Sequence, residues 1–324
     1  YMPVFFYNQN GYLSKVFVQN AGSAATNVTA TYYGDDGRTC SKTFNNLAPW
    51  GMMILDVNNC GWTNPSTPPG SGSVRLSASG SQPLAAMTWQ TRDWNRVAAY
   101  NAFSKGSTQL YTPMLVRNFY GWNSTLQVQN LSGSTANVAV DYYGYGGSYV
   151  CRDSRTILAR RHGAIDHGDS GTCMADKGIT LFSARISSDQ PVTAVVNQDH
   201  PSGYFFSYNT VPAGQTNLVI PFLRDDRSNN WSADILIQNT TGYDNVPVTV
   251  SLYDEAGHLA GTIPCPLSAY GSCELYGQFP GGFRGSAEIV AGQPVAAIAN
   301  MFNANQSGDG AMGYNAVEKK TTTP

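Results

Sequence analysis

The sequence predicts an all-β protein that consists of three tandem immunoglobulin-like β-sandwich domains, with about seven strands in each. Composition, an internal repeat and strand periodicity support this prediction. Of the 324 residues, 33 are Gly, 19 are Tyr and 17 are Pro, and only 12% are charged, which favours short strands and turns over helices. An apolar content of 42% with a net charge of −2 argues against disorder. It also argues against nucleic-acid or anionic-membrane partners, which require a basic surface.

The internal repeat has a period of about 110 residues and sets the domain organisation. Every copy contains a strand that ends in Gln-Asn and, later, a Gln-Pro that precedes an apolar strand. These pairs are Gln19-Asn20, Gln129-Asn130 and Gln238-Asn239, and Gln82-Pro83, Gln190-Pro191 and Gln293-Pro294. The pattern predicts units at residues 1–103, 104–211 and 212–317, with a flexible Thr/Pro tail at 318–324. Because the connectors are short, we expect the units to form a rod with limited bending.

Apolar and polar side chains alternate within the predicted strands. In the first unit Val16 and Val18 fall on one face, and Lys15 and Gln19 fall on the other. This alternation is typical of a half-buried strand. About seven such strands in roughly 100 residues match the size of an immunoglobulin-like sandwich, whose two sheets can bury a core of their own.

Each unit contains two cysteines, which predicts one disulfide within each unit. The pairs are Cys40 with Cys60, Cys151 with Cys173, and Cys265 with Cys273. A zinc site is the alternative, but the sequence has no Cys-x-x-Cys pair and no nearby Cys/His quartet. Because disulfides persist in oxidising compartments, we expect an extracellular location at the cell surface.

Six Asn-x-Ser/Thr sequons agree with that location. The candidate glycosylation sites are Asn27, Asn123, Asn130, Asn230, Asn239 and Asn305. A chain this rich in Asn, Ser and Thr also produces such triplets by chance. Asn130 and Asn239 belong to the repeated Gln-Asn pair, where a role in a turn explains them without a sugar.

One segment resembles a catalytic motif. Gly168-Asp169-Ser170-Gly171 is similar to the nucleophile segment of chymotrypsin-like serine proteases, and His162, Asp166 and His167 are nearby. A triad needs a base that reaches the serine oxygen, a carboxylate that orients the base, and an oxyanion hole. The second Gly of the protease motif is Thr172 here, and the His-containing segment is absent upstream. We therefore predict no catalytic residues.

Metal sites are the next alternative. His162 and His167, with carboxylates beside them, are suitable ligands for zinc or another divalent ion. However, a five-residue step puts the two rings on opposite sides of a strand. Asp225-Asp226 with Asn229-Asn230 offers oxygen ligands for calcium but lacks the spacing of a calcium loop. We predict no metal and no cofactor.

Comparison of the repeats separates positions that all units share, which we expect to be scaffold, from positions peculiar to one unit. It places His162-Gly163 where the other units have Trp50-Gly51 and Tyr270-Gly271, so His162 is predicted to be a packing residue. Residues peculiar to one unit are the candidates for binding or interface roles. They are Trp89, Arg92, Trp94 and Arg96 in the first unit, and Tyr145 and Tyr149 in a Gly-rich loop of the second.

Two interpretations of these candidates remain open. Trp, Tyr and Arg are frequent in protein interfaces, which is the interpretation we favour. Aromatic rings on a sandwich face can also stack on sugar rings.

The unit pattern also resembles a known kind of repeat. Its apolar-Pro strand, Val128-Gln129-Asn130, Val138-Ala139-Val140-Asp141-Tyr142-Tyr143 and Gln293-Pro294-Val295-Ala296-Ala297 are similar to a tandem repeat in uncharacterised secreted proteins of filamentous and thermophilic bacteria such as the Chloroflexota. The resemblance covers residues 1–317. It implies a surface location and carries over no catalytic residue.

These observations predict a non-enzymatic extracellular structural protein. We expect a subunit of a surface filament or sheath that self-associates into a homopolymer through end-to-end contacts. The alternative is a carbohydrate-binding or adhesion module with a glycan ligand. No apolar run approaches the roughly 20 residues of a membrane helix, so we expect no membrane insertion, and we expect no nucleic-acid partner.

Overall fold

A computed structural model describes residues 1–63, 66–92, 95–303, 305 and 309–320. Within these residues the protein is built from antiparallel strands in three successive units, which confirms the predicted all-β class with three tandem sandwiches. Helical structure in this part of the chain is confined to the short 3-10 helices Val57–Cys60, Ser79–Ser81 and Arg227–Asn229. The candidate residue Trp94 and residues 321–324 of the tail lie outside the described residues.

The three units contain eight, seven and eight strands, close to the predicted seven. The first unit has β1 (Met2–Gln9), β2 (Tyr12–Asn20), β3 (Thr26–Gly34), β4 (Thr39–Leu47), β5 (Met52–Asp56), β6 (Ser71–Ala78), β7 (Leu84–Arg92) and β8 (Arg96–Asn101). The second has β9 (Ser107–Val116), β10 (Asn123–Asn130), β11 (Ala136–Gly144), β12 (Tyr149–Ile157), β13 (His162–Asp166), β14 (Leu181–Asp199) and β15 (Phe205–Asn209). The third has β16 (Gln215–Asp225), β17 (Trp231–Asn239), β18 (Val248–Asp254), β19 (Leu259–Pro264), β20 (Ser272–Glu274), β21 (Phe283–Asn303), β22 (Ala311–Asn315) and β23 (Val317–Glu318).

Each unit folds into two sheets. In the first unit the first sheet has the order β4-β3-β6-β1, and the second sheet has the order β5-β2-β7-β8. In the other units one long strand, β14 or β21, serves both sheets. The repeated Gln-Pro marks the change of sheet: β14 pairs with β11 as far as Ser188 and with β10 from Val192, with Gln190-Pro191 between them. Proline suits this point because it has no N–H to donate to a ladder.

The core of each unit consists of the side chains between its two sheets, and the two-residue alternation sets their orientation. In β2, Val16 and Val18 are buried while Lys15 and Gln19 are not. Tyr32 of β3 fills the middle of the first core, where its ring packs against Phe5 with the ring centroids 5.7 Å apart. The second core has Tyr142 at the equivalent position, against Phe182. The Tyr-rich strands are therefore structural.

Each unit contains one disulfide, as the repeat predicts. The bonds join Cys40 to Cys60, Cys151 to Cys173, and Cys265 to Cys273, and the described cysteines include no free thiol. The first two bonds close loops with separations of 20 and 22 residues, and the third closes one of 8. Cross-links of this kind stabilise a domain mainly by restricting its unfolded chain.

Residues 318 and 319, which the sequence analysis assigns to a flexible tail, are attached to the third unit. Val317–Glu318 forms β23, which pairs with Leu218 and Val219 of β16. Lys319 continues this attachment, since its backbone N–H donates to Asn217 O and its ammonium group lies 2.6 Å from Glu288 Oε1. The prediction failed here because an exposed strand edge can order a polar segment through backbone hydrogen bonds alone.

The expected rod is also incorrect, because the three units meet at one point. The carboxylate of Asp309, in the third unit, accepts the backbone N–H groups of Val97, Phe205 and Ala311 at 2.6, 3.1 and 3.1 Å. These three residues occupy the same position in the three successive units. Equivalent atoms therefore lie within a few ångströms of one another, so consecutive units are related almost entirely by rotation. Short connectors restrict the distance between units but do not make them extend along a line.

Candidate functional site

Polar contacts join the units at two junctions: the first lies between the first and second units, and the second lies between the second and third. The same kind of hydrogen bond, from a serine hydroxyl to a backbone carbonyl, occurs in both. Ser73 of the first unit donates its hydroxyl to the carbonyl oxygen of Arg160 in the second, at 2.9 Å. Ser183 of the second unit donates in the same way to Tyr270 O in the third, at 3.2 Å. The two serines are equivalent, since each lies opposite the second Tyr or its counterpart in the neighbouring strand. The junctions are therefore two copies of one interface.

This geometry corrects the alignment of the repeats. Asn130 N donates to Arg161 O, as Asn20 N donates to Gly51 O and Asn239 N to Gly271 O. The counterpart of Trp50-Gly51 is therefore Arg160-Arg161, two residues before His162-Gly163. Trp50, Arg160 and Tyr270 all have positive φ values, between 56° and 64°. The backbone conformation identifies the position, since two of the side chains at it are aromatic and the third is an arginine.

An asparagine ladder runs through both junctions. Asn209 Nδ2 donates to Asn101 O at 2.8 Å, and Asn315 Nδ2 donates to Asn209 O at 2.6 Å. These residues are the last of β8, β15 and β22. A tyrosine precedes each of them in the sequence, so a Tyr-Asn pair near the end of every repeat contributes to these connections.

Each junction covers the outer surface of a second sheet, the surface that faces away from its own core. In the first junction β1 lies against β10 and β14, and in the second β9 lies against β17 and β21. Val195 on this outer surface is buried in the hydrophobic cluster of the first unit. Leu236 and Ile298 on the outer surface of the third unit are buried in the cluster of the second. The cores therefore extend across the junctions.

Polar contacts fix the first junction at its edge. The guanidinium of Arg161 donates to the carbonyl oxygens of Gly34 and Arg38, both at 2.6 Å, and also to that of Gly37. His162 places Nδ1 2.9 Å from Asp35 Oδ2 and Nε2 2.6 Å from Gln127 Oε1. Burial alone would raise the pKa of Asp35, but its hydrogen bond from His162 and that of Ser71 outweigh burial and lower the pKa.

The second junction replaces these bonds by aromatic and backbone packing. The rings of Tyr143 and Tyr270 have their centroids 5.3 Å apart, and the Arg185 guanidinium lies 4.9 Å from the centroid of the Tyr270 ring. A Cβ atom on Gly271 would lie 2.7 Å from the Cα atom of Gly147. Only glycine fits at position 271, because any side chain there would separate the two backbones.

A buried acidic pair lies on the outer surface of the third unit. Burial raises the pKa of Asp234, and the neighbouring carboxyl of Glu274 raises it further. The pKa of Glu274 is also raised, by burial. The two groups favour a shared proton over two buried charges.

The outer surface of the first unit's second sheet differs from the other two because no other unit covers it in the described part of the chain. Trp50, the counterpart of Tyr270, is 68% exposed, and its neighbours on this surface are large, apolar and exposed as well. They are Met52 at 58%, Ile54 at 50%, Val97 at 40% and Met87 at 37%. We call Trp50, Met52, Ile54, Met87 and Val97 the open face. Met87 is the counterpart of the fully buried Val195 and Ile298.

A cleft of about 840 Å³ lies along the first junction. Its lining combines the aromatic rings of Phe6, Tyr12 and Phe205 with carboxylates and amides, among them Asp166 and Asn197. Tyr12 packs against Phe205 of the next unit, with the ring centroids 5.2 Å apart. Rings beside amides and carboxylates can bind a sugar, because its C–H faces stack and its hydroxyls form hydrogen bonds.

The structure places the predicted binding residues at three locations. Arg92 belongs to the first junction, where it lies 5.0 Å from the ring centroid of Tyr12 and 3.7 Å from the Asp199 carboxylate. Arg96 donates to Pro201 O at 3.5 Å across the same junction. Both arginines therefore contact the neighbouring unit of the same chain. Trp89 lies half-buried on the same surface as the open face, two residues from Met87 on β7 and opposite Lys15.

The tyrosines of the second unit lie elsewhere. Tyr145 and Tyr149 are exposed on the β11–β12 hairpin, where the Tyr149 ring packs edge-on against Tyr143. They are separate from the first-unit candidates. The candidate residues that the sequence analysis missed are the apolar ones of the open face, because an isolated Met or Ile at an alternating position has no motif. Their common orientation in the strand register was the available signal.

Two of the six sequons are excluded by their surroundings. Asn130 and Asn239 are fully buried, and their side-chain amides donate to backbone carbonyls such as Ser134 O and Tyr243 O, both at 2.7 Å. These asparagines hold the turn after the Gln-Asn strand, so no sugar can be attached there. The other candidates have exposed or half-buried side chains: Asn27, Asn123, Asn230 and Asn305. The last two residues of the Asn305 sequon lie outside the described residues.

The protease-like segment does not form a triad. His167 is buried, with its ring nitrogens 3.0 Å from Ser124 O and 3.1 Å from Tyr142 Oη. Both nitrogens of His162 are also occupied, by Asp35 and Gln127. Neither imidazole can therefore act as a base toward Ser170.

Neither of the two metal-site alternatives forms a set of ligands in the described part of the chain. The described residues contain no group of three His, Cys, Asp or Glu side chains that could hold a metal ion. The Asp226 carboxylate accepts hydrogen bonds from Ser228 and Asn229, both at 2.6 Å, while Asp225 accepts from Ala233 N at 3.1 Å. Asp225 and Asp226 thus stabilise the turn between β16 and β17 by hydrogen bonds.

Comparison with known proteins gives only distant likenesses. No family model matches the chain, and no curated protein matches it. The crystal structure of Thermotoga maritima 1070 has 13% identity and a TM-score of 0.27, and the match covers 33% of this chain and 92% of that one. The Anabaena sensory rhodopsin transducer has 21% identity and a TM-score of 0.24, with 29% and 97% covered. A tetra-tandem repeat from the extending region of a large adhesion protein has 11% identity and a TM-score of 0.15, with 98% and 74% covered. Likenesses this distant carry no argument about function.

Proposed function

We propose that the protein is a non-enzymatic extracellular structural protein, a subunit of a filament or sheath at the cell surface. The observation that carries this proposal is the open face. It corresponds to surfaces that are buried between units elsewhere in the same chain, and an exposed apolar surface of this kind marks a contact site. Self-association through such surfaces requires no chemistry beyond complementary shape.

The extracellular location rests on the disulfides. Every unit contains one, and bonds of this kind persist in oxidising compartments. No helix in the described part of the chain has the length and apolar character that would be needed to cross a membrane.

The non-enzymatic assignment rests on how the polar groups of the junction cleft are used. Ser71 and His162 both bond to the same Asp35 carboxylate, at 2.5 and 2.9 Å. The imidazole therefore does not lie between serine and carboxylate, as nucleophile activation would require. These groups hold two units together.

Electron microscopy of native surface material, with mass photometry of the same sample, tests the proposal. We expect ordered fibres or sheets that a specific antibody to this chain decorates along their length. Dispersed single molecules in material that has not been dissociated would contradict the structural role.

A carbohydrate-binding module is the second candidate, and the cleft along the first junction favours it. A glycan array on the full chain is the test, with Asp166→Ala in the cleft and Trp89→Ala outside it. Saturable binding that Asp166→Ala abolishes and Trp89→Ala leaves intact would assign a glycan site to the cleft. Binding that depends on Trp89 would assign it to the sheet surface instead. Absence of binding would leave the structural function alone.

A further inference from the structure

We infer that the open face is a dimer interface, and that it binds the open face of a second copy of this chain around a two-fold axis. The inference rests on the proposed function and deepens it, since it names one of the contacts that a surface assembly requires. It begins from an asymmetry among the three units. Two of them bury the outer surface of their second sheet against a neighbour, and the first exposes it.

The exposed surface is the most apolar of the three. At its centre Ile54 of β5 pairs with Phe17 of β2, which in turn pairs with Met87 of β7. The second unit has Ala164, Gln127 and Val195 at these positions, and there Gln127 and Val195 are buried. The unit without a neighbour therefore carries larger apolar side chains than a unit whose surface is covered. Burial of such side chains stabilises a contact by roughly 25 cal/mol per Å² of apolar area removed from water.

A repetition of the internal junction does not explain what covers this surface. In that arrangement the third unit of a second copy would sit on the open face. The step from unit to unit is nearly a pure rotation about the point where Asp309 binds Val97, Phe205 and Ala311. Each sandwich has two sheets about 10 Å apart, with side chains on both sides. Six of them cannot meet around one carboxylate, so the other units of the second copy would collide with the first copy.

A two-fold contact avoids this collision, because it turns the second copy away from the shared point. Such contacts are the commonest in homo-oligomers and require a self-complementary surface. The open face meets this condition: Lys15 and Asp56 lie opposite each other in the β2–β5 ladder, in the row between Ile54 and Val97, and so supply one charge of each sign within the contact. Around a two-fold axis, Lys15 of one copy can approach Asp56 of the other.

Sedimentation velocity of the full chain, over a wide range of concentrations, tests the inference. We expect a monomer–dimer equilibrium, and Ile54→Asp should weaken it at least tenfold because it places a charge at the centre of the contact. Leu158→Asp is the matched control. Leu158 is an aliphatic side chain of similar exposure on the second unit, and this substitution should leave the dimer intact. Circular dichroism of both variants establishes that each retains the fold.

Three results would overturn the inference. The first is a monomer at every concentration, and the second is equal dissociation by Ile54→Asp and Leu158→Asp. The third concerns the third unit: if Tyr253→Asp, at the position equivalent to the junction residue Tyr143, dissociates the dimer, then the contact is head-to-tail. Failure of the dimer would not remove the proposed function if fibres carrying this chain are still observed. Absence of fibres with an intact dimer would reject the structural role and retain the interface.

Discussion

The hydroxyl of Ser183 donates to the carbonyl oxygen of Tyr270 across the second junction, at 3.2 Å, and reproduces the bond from Ser73 to Arg160 O in the first. Ser286 occupies the same place in the third unit, opposite Tyr253. Among the described residues, no further unit lies beyond it to accept its hydroxyl. Comparison of the three serines therefore shows how much the junction bond contributes to stability, because Ser73 and Ser183 form it and Ser286 does not.

Substitution of these serines by alanine should distinguish the contribution of the junction bond to stability from any other contribution of the serine side chain. Ser73→Ala and Ser183→Ala should each lower the free energy of unfolding by about 1 kcal/mol, since each removes a buried hydrogen bond. Ser286→Ala, the matched control, should change it by much less. Urea denaturation measures all three. An equal loss from Ser286→Ala would mean that the serines act within their own units and not between units.

Substitution of Asp309 should loosen the meeting point of the units. Hydrogen bonds to a charged group contribute about 1.5–3 kcal/mol, so Asp309→Ala should speed hydrogen exchange at the Val97 and Phe205 amides on the order of tenfold. Exchange followed by mass spectrometry measures this. Asp244→Ala is the control, because Asp244 accepts a backbone hydrogen bond from Ala269 N within its own unit. Unchanged exchange in the first two units would show that the carboxylate does not hold them together.

The buried His167 should make the protein sensitive to acid. Burial lowers its pKa from 6.5 to about 4, so the folded protein keeps it neutral while the unfolded chain takes up a proton. Its contribution to stability is complete above pH 6.5 and is lost as the pH falls toward 4, by roughly 3 kcal/mol in the limit. His167→Gln should therefore flatten the pH dependence of the unfolding free energy in this range.

The control for this prediction is His258→Gln, at an exposed histidine, which should alter the acid dependence far less. Urea unfolding at a series of pH values supplies the comparison. If His167→Gln leaves the wild-type slope unchanged, other groups are responsible for the acid sensitivity.

The buried pair of Asp234 and Glu274 should give the stability of the protein the opposite dependence on pH. Because the pKa of Asp234 is raised in the folded state, the folded protein binds the proton more tightly, and stability falls as rising pH removes it. Asp234→Asn should therefore raise the free energy of unfolding at mildly alkaline pH, and this gain should shrink at acidic pH. Glu274→Gln, at the less buried partner, should have a smaller effect of the same sign. A loss of stability from Asp234→Asn at alkaline pH would contradict the shared-proton interpretation.

The fold was predictable to the level of units and pairs of cysteines. A repeat constrains each of its copies with evidence from the others, so one alternating strand or one cysteine pair supports three. The error in the alignment of His162 has a physical reason. The position of Trp50, Arg160 and Tyr270 is defined by a backbone with positive φ. Two of these side chains are aromatic and are followed by glycine, so a comparison by ring and glycine selects His162-Gly163 and passes over Arg160-Arg161.

The arrangement of the units was not predictable in the same way. A short connector constrains distance, while orientation depends on which surfaces bury apolar area, and that is decided by residues far apart in the chain. Val195 enters the core of the first unit, but its neighbours in sequence give no sign that its partner lies elsewhere. The open face was hidden for the same reason, since Met52, Ile54 and Met87 come together only in the strand register.

The position of Asp309 late in the chain has a consequence for biosynthesis. Domains generally fold in order as they are made, the N-terminal one first, so the first two units can form their sheets before the acceptor for the Val97 and Phe205 amides has been synthesised. A chain interrupted before residue 309 would contain two folded units with this common point unfilled. The hydrogen bonds of these two amides to Asp309 therefore form only after a further 212 residues beyond Val97 and 104 beyond Phe205 have been added to the chain.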